Sequence, residues 1–174
     1  IMNDTHVWGD IAEDEVLNQV AAFTFSVAEY IEDQLVVPFL LTTEDADGHT
    51  WTRNIPVTIN APVLKLGEIT LDDSNNGNGN GRLEPGEEAL LIINNQNTGH
   101  STSPTATAML STTSPYLEIQ SANLLVGAIE SEAMAVYSVT VSEEVPLATV
   151  IPLEYHLQAG PYEITGEPAL TANL

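Results

Sequence analysis

Apolar and polar residues alternate with a period of two along most of this chain, which is typical of β-strands with one buried face. The alternating segments are residues 23–27, 35–41, 51–59, 64–71, 105–110, 116–119, 124–129, 134–141, 150–157 and 162–170. Residues 89–93 form an uninterrupted apolar run, as in a fully buried strand. Turn dipeptides such as Asp47-Gly48 and Gly160-Pro161 separate the segments. The pattern predicts an all-β sandwich or barrel, with one short helix candidate at residues 13–20.

The chain also repeats itself. Residues 23–29 (FTFSVAE) resemble residues 137–143 (YSVTVSE), and VVPF at 36–39 resembles VIPL at 150–153, both 114 positions apart. A period of about 110–115 residues matches the size of one immunoglobulin-like (Ig-like) domain. We therefore predict Ig-like antiparallel β-sandwiches in tandem, with the first one incomplete. Residues 62–174 form a complete repeat, and residues 1–61 form the second half of another.

Charge narrows the range of partners. The chain has 3 basic and 25 acidic residues, a net charge of −22, and 43% hydrophobic residues. This composition supports a packed core, but a surface so acidic repels nucleic acid and anionic membranes. The absence of cysteine excludes disulfides, cysteine nucleophiles and thiolate metal sites. No apolar run approaches the roughly 20 residues of a membrane-spanning helix.

The most distinctive segment is residues 72–88, DDSNNGNGNGRLEPGEE, which lies between two apolar strands. Aligned with the twelve-residue EF-hand loop, it has Gly81 at the sharp turn, Leu83 at the apolar position and Glu87 at the bidentate acid. The early ligand positions carry neutral asparagines, so nearby carboxylates must supply the charge that Ca²⁺ requires. We predict a Ca²⁺ site with ligands from Asp72, Asp73, Asn76, Asn78, Asn80, the Arg82 carbonyl, Glu84 and Glu87. The alternative is a solvated Asn/Gly turn that holds no ion.

Three segments together resemble a known class of module: residues 66–101, which contain the loop, TSPYLEI at 113–119, and VPLATVIPLEY at 145–155. They resemble the Ig-like repeats of large secreted bacterial proteins, including the non-catalytic Ig-like domains of gingipain-type cysteine peptidases and bacterial cell-adhesion-related domains. The resemblance implies a β-sandwich, a secreted or cell-surface location, and a spacer or adhesive role. It does not imply peptidase activity, because the chain has no cysteine.

Two classes of function follow, and neither is enzymatic. The four histidines show no metalloprotease spacing, and no GxSxG motif is present. The first class is a calcium-stabilised structural or adhesive module of a stalk, spacer or filament. The second is an accessory module that binds carbohydrate or the catalytic domain of a secreted hydrolase. For carbohydrate, one exposed face would carry Trp8, Tyr30, Trp51 and Tyr162. Asp45-Ala46-Asp47-Gly48 is a minimal cation motif that we interpret as a hairpin turn.

The half-repeat has a further consequence. Half a sandwich exposes an inner apolar face, and unpaired apolar sheets aggregate. We therefore expect residues 1–61 to be covered by a protein partner or by a neighbouring copy, giving a possible homo-oligomer or filament. An additional upstream segment is the alternative cover.

Overall fold

The computed structural model describes residues 1–174 and is all-β, with eleven strands and no helix. The strands are β1 Leu35–Glu44, β2 Thr50–Ile59, β3 Leu64–Asp72, β4 Glu88–Asn97, β5 Thr105–Thr112, β6 Leu117–Ile119, β7 Asn123–Ala128, β8 Glu132–Val141, β9 Thr149–Ala159, β10 Tyr162–Gly166 and β11 Ala169–Ala172. Every strand pair is antiparallel. The chain contains no helix long and apolar enough to cross a membrane.

The chain divides into two compact units, Ile1–Ile31 and Glu32–Leu174. The first unit contains no extended strand, and the helix predicted at residues 13–20 is wrong. Asp14 has a φ of 63°, outside the right-handed helical region, and a single turn joins the Glu15 N–H to the Ala12 carbonyl.

The strand predicted at residues 23–27 is also wrong. Thr24 forms an isolated β-bridge with Asn3, and the segment belongs to no extended strand. A strand requires a continuous ladder of backbone hydrogen bonds. The matching residues 137–141 obtain one in β8, which lies between β4 and β6.

The second unit is organised around two sheets. One has the order β10-β9-β5-β7, with β11 also paired to β9, and the other has the order β3-β4-β8-β6. Their inward side chains form one core in a sandwich-like arrangement, as the alternation predicts. Buried and half-buried residues alternate without exception along β4, and the largest buried side chains are Tyr137 of β8 and Tyr155 of β9.

Strands β1 and β2 form a separate hairpin of ten opposed residue pairs. Its tip is the predicted Asp-Gly turn, in which the Gly48 N–H donates to the Asp45 carbonyl at 3.1 Å. Two positions that the predicted repeat relates share a backbone conformation. Gln34 and Ala148, which precede β1 and β9 and lie 114 positions apart, both have positive φ angles, of 59° and 53°.

The inward positions of the hairpin also match those of β9. Ile151 and Leu153 of β9 are buried under the opposing sheet, whereas the equivalent Val37 and Phe39 of β1 are only half-buried. The hairpin therefore presents an apolar face that no second sheet of the same unit covers. The sequence-based division at residue 61 remains a prediction about repeats, since the hairpin belongs to the same unit as the sandwich.

Candidate functional site: the loop at residues 72–88

The loop runs from the end of β3 to the start of β4 and is fastened to the sandwich at its apolar position. Leu83 is 2% exposed, forms a parallel bridge with Ala172, and accepts a 2.7 Å hydrogen bond at its carbonyl from the Asn173 N–H. The Gly86 N–H donates to the carbonyl of Val141 in β8 at 3.1 Å. The second half of the loop is thus anchored to the sandwich at Leu83 and Gly86.

Two carboxylates occupy the interior of the loop. Asp73 is 3% exposed and Glu87 is 8% exposed. Asp73 accepts from the N–H groups of Asn80 and Gly81, each at 3.0 Å to Oδ2. The two oxygens of Glu87 accept from the N–H groups of Asn78 and Glu84, each at 2.9 Å. The loop backbone is therefore wrapped around two buried negative charges.

No lysine or arginine neutralises these two charges. The three ion pairs of the chain all involve histidine, and none includes Asp73 or Glu87. Arg82 is exposed despite its place in the loop. Buried carboxylates are normally paired with a cation or bound to a metal, because desolvation of an isolated charge is costly.

Glycine is required where Gly77 passes between Glu87 and Asp73. A Cβ on Gly77 would lie 2.3 Å from Glu87 Oε1 and 2.8 Å from the Asp73 carbonyl oxygen, so only glycine fits between the Glu87 carboxylate and the Asp73 backbone. Gly81, the residue assigned to the sharp turn, has a φ of 72°, which favours glycine.

The other predicted ligands lie around this interior. Asn78 and Asn80 accept at Oδ1 from backbone N–H groups two residues further along, at 3.0 and 2.8 Å. The side chains of Asn76 and Asn78 donate to the carboxylates of Glu88 and Glu84, respectively.

Asp72 points elsewhere. Its Oδ1 accepts from the hydroxyl and the N–H of Ser74 at 2.5 and 3.0 Å, and these bonds lower the pKa of Asp72. Of the two adjacent aspartates, Asp73 is therefore the one directed into the loop.

The atoms available as metal ligands in the loop are of the type that a hard cation prefers. They are all oxygens of carboxylates and amides, which suit Ca²⁺ rather than a soft metal. Each oxygen of Glu87 accepts one protein hydrogen bond and retains a second lone pair. Asp73 and Glu87 would hold the ion, with Asn78 and Asn80 beside them. No three acidic side chains of the loop come within mutual reach of one ion in this arrangement.

One group of three side chains that can ligate a metal has its ligand atoms within 4.8 Å of one another. It consists of Asp45, Asp47 and His49. All three are exposed at the tip of the β1–β2 hairpin. Asp45 accepts from the N–H groups of Asp47 and His49, each at 2.9 Å, and its Oδ2 lies 2.9 Å from His49 Nδ1. These bonds are sufficient to explain the cluster as turn chemistry. The sequence indicates the two aspartates as part of a turn, and the structure adds His49 to them.

Comparison of the chain with protein-family models and with curated protein sequences gives no match in either case.

Proposed function

We propose that this chain is a non-catalytic, Ca²⁺-stabilised Ig-like structural or adhesive module of a secreted or cell-surface bacterial protein. The observation that carries the proposal is the pair Asp73 and Glu87, two buried carboxylates without a basic partner inside a loop of oxygen donors. A bound divalent cation would compensate this charge. The module name and the extracellular setting rest on the resemblance of the sequence, and the acidic surface is compatible with a cation-rich medium.

Ca²⁺ would act on the fold because the loop is built into the core. Leu83 is nearly inaccessible, and its carbonyl holds the Asn173 N–H beyond the end of β11. An ion that binds only the folded loop stabilises the protein by RT ln(1 + [L]/Kd), about 2.7 kcal/mol at a hundredfold excess over Kd. The module would thus be more rigid in calcium than in chelator.

Melting with and without chelator, together with calorimetric titration of Ca²⁺, tests this function. We expect a higher midpoint in millimolar Ca²⁺ and heat of binding at one site. Asp73→Asn should abolish both effects, whereas Glu68→Gln, which removes one charge from β3, should leave both in place. Equal midpoints with and without Ca²⁺ in the unsubstituted protein would disprove the proposal.

We also propose that a protein partner or a neighbouring copy covers the apolar face of the β1–β2 hairpin. Opposed residues in an antiparallel pair share a face, so Val37 and Phe39 lie beside Val57 and Ile55. Ile55 is 39% exposed, and Trp51 on the same face is 57% exposed. Burying one such side chain is worth about 1.5–3 kcal/mol, so the face favours association.

Light scattering over a range of concentrations tests this association. If copies pair through the face, Ile55→Asp should reduce the mass towards that of a monomer. Leu40→Asp is the matched control, since Leu40 is 65% exposed on the opposite face of the hairpin. A monomer at every concentration would exclude the neighbouring copy, and equal effects of the two variants would exclude this face.

An accessory role in binding carbohydrate or a catalytic domain is the second candidate function. Trp51 supports it, because this exposed indole lies with its ring centroid 6.3 Å from that of His49. Exposed aromatic rings offer stacking surfaces to ligands. Calorimetric titration with oligosaccharides that gives heat of binding in the unsubstituted protein, but not in Trp51→Ala, would support this function over a purely structural role.

A further inference from the structure

The loop contains three asparagine–glycine pairs in succession, at residues 76–77, 78–79 and 80–81, and no other asparagine of the chain precedes a glycine. In such a pair the backbone nitrogen of the second residue can attack the side-chain carbonyl carbon of the asparagine. Glycine leaves that nitrogen accessible because it has no Cβ. The loop therefore holds three chemically equivalent candidates for spontaneous loss of a side-chain amide.

The three glycine nitrogens differ in whether they are free to attack. The Gly77 N–H donates to the Asp73 carbonyl at 2.8 Å, and the Gly81 N–H donates to both oxygens of the buried Asp73 carboxylate at 3.0 and 3.2 Å. The N–H of Gly79 makes no hydrogen bond, and this residue is exposed with open space around it. A bonded N–H has to give up its acceptor before its nitrogen can turn towards a side chain, so only Gly79 attacks without that loss.

The three side-chain carbonyls differ as well. Asn78 Oδ1 accepts from the Asn80 N–H at 3.0 Å, and Asn80 Oδ1 accepts from the Arg82 N–H at 2.8 Å, whereas no donor reaches Asn76 Oδ1. A donor at this oxygen stabilises the negative charge that develops there when the carbon is attacked. Only the pair at residues 78–79 therefore combines an activated carbonyl with a free nitrogen.

We propose that Asn78 is a self-modification site, which loses its side-chain amide to the Gly79 nitrogen while Asn76 and Asn80 are retained. The Gly79 nitrogen gives its proton to solvent and bonds to Asn78 Cγ. The Cγ–Nδ2 bond then breaks, and the nitrogen takes protons from solvent and leaves as ammonia. One water molecule opens the resulting succinimide ring at either carbonyl, which gives aspartate or isoaspartate. Both residues are exposed, so water reaches the ring.

The reaction adds a carboxylate to the loop. Asn78 Nδ2 donates to the Glu84 carboxylate, so replacing this nitrogen by an oxygen sets two like charges side by side, which a cation would relieve. In the aspartyl product a neutral ligand becomes a charged one, and the affinity of the loop for Ca²⁺ should rise. This consequence rests on the proposed Ca²⁺ function, whereas the modification itself does not.

Peptide mapping by mass spectrometry, during incubation of the protein in mildly alkaline buffer with chelator, tests the site. In the folded protein we expect Asn78 to be converted at least about tenfold faster than Asn76 or Asn80, because the hydrogen bond broken at each of the other pairs slows the attack by about that factor. In urea the same chain should convert all three at comparable rates, because the unfolded loop protects none of them. The chelator removes divalent ions, so the outcome does not depend on Ca²⁺ binding.

Gly79→Asn is the matched variant, because it places a side chain on the attacking residue at a φ of 75°, which asparagine tolerates. It should suppress the conversion of Asn78 in the folded protein. Equal rates at the three asparagines of the folded parent, or faster conversion of Asn76 or Asn80, would overturn the proposal. Undiminished conversion of Asn78 in Gly79→Asn would overturn the attack by the Gly79 nitrogen.

Asn78→Asp reproduces the aspartyl product and tests the link to Ca²⁺. Calorimetric titration should show roughly fivefold tighter binding than in the parent, the effect of one further unit charge near the ion in a solvated loop. Unaltered affinity in a parent that binds Ca²⁺ would overturn this link. A parent that binds no Ca²⁺ would overturn the proposed function instead, while selective conversion of Asn78 in chelator would still establish the modification site.

Discussion

The phenolic oxygen of Tyr155 donates a 2.8 Å hydrogen bond to Oδ1 of Asn95, and this bond crosses the core from one sheet to the other. Tyr155 belongs to β9 and Asn95 to β4, and both are almost inaccessible to solvent. The Asn95 amide nitrogen donates to the carbonyls of Ile93 and Ala133, each at 3.3 Å. The oxygen and the nitrogen of the buried Asn95 amide thus both have hydrogen-bond partners only when the two sheets are in register.

Tyr155→Phe should therefore destabilise the fold. The substitution leaves Asn95 Oδ1 buried without a donor, which costs about 1–3 kcal/mol. Urea unfolding measures the change. Tyr137→Phe is the control, since Tyr137 is equally buried and its hydroxyl has no hydrogen-bond partner in the protein. We expect that variant to lie within about 0.5 kcal/mol of the parent or to be more stable. Equal losses in both would show that the space left by the missing hydroxyl, not the inter-sheet bond, determines the cost.

The same two tyrosines predict loss of stability in alkali. Burial raises the pKa of Tyr155 to about 12. Burial and then the neighbouring Tyr155 raise the pKa of Tyr137 still further. Both hydroxyls are neutral in the folded state below their unfolded pKa of about 10, so their contribution to the free energy of unfolding is complete below that pH. The contribution is lost as the pH rises from there towards the pKa values of the folded state.

Melting from about pH 9 to pH 11.5 should show a midpoint that falls above pH 10, where the unfolded chain ionises first. The double variant Tyr137→Phe, Tyr155→Phe should show a shallower fall than the parent over this interval. A parallel fall in both proteins would assign alkaline unfolding to the general repulsion of an acidic chain instead.

Glu87→Gln should impair the loop in two separable ways. Without Ca²⁺ the variant should lose about 1–3 kcal/mol of stability, because a Gln side chain has one oxygen for two loop N–H donors. With Ca²⁺ it should also lose most of the calcium-induced rise in midpoint, since the anchoring charge is gone.

Asp47→Asn provides the comparison, because Asp47 belongs to the exposed cluster at the hairpin tip. It should change neither the stability in chelator nor the affinity for Ca²⁺. If titration gave the two variants equally reduced calcium affinity, the ion would be held by the diffuse acidic surface rather than by the loop.

Gly77→Ala tests the loop without changing any ligand. The added methyl would meet Glu87 Oε1 at 2.3 Å and the Asp73 backbone at 2.8 Å, so the Glu87 carboxylate has to move from its place in the loop. We expect at least tenfold weaker Ca²⁺ binding by calorimetry, about 1.4 kcal/mol. Gly79→Asn is the control, since Gly79 has open space around it and its φ of 75° is one that asparagine tolerates. Unaltered binding in Gly77→Ala would mean that the carboxylate pair does not hold the ion.

The sequence by itself determined the strands of the sandwich and several special positions. Alternation located β3, β5, β8 and β9, because a strand between core and solvent requires polar and apolar residues in turn, and the apolar run at residues 89–93 located β4. The Asp47-Gly48 turn and the buried position of Leu83 also follow from local chemistry. The Ig-like topology and the Ca²⁺ ion remain predictions.

Only the tertiary structure decided what depends on distant partners. Residues 23–27 have the alternation of a strand, but a strand also requires a neighbouring strand, and this segment forms the isolated bridge between Thr24 and Asn3. The turn after β3 directs Asp73 into the loop and leaves its neighbour Asp72 hydrogen-bonded to Ser74. The sequence does not indicate which of the two adjacent aspartates faces inwards. Asp33 and His100 are 67 positions apart and meet because the chain segment between β2 and β3 brings them together. Local patterns encode periodicity, whereas such contacts are set by the course of the whole chain.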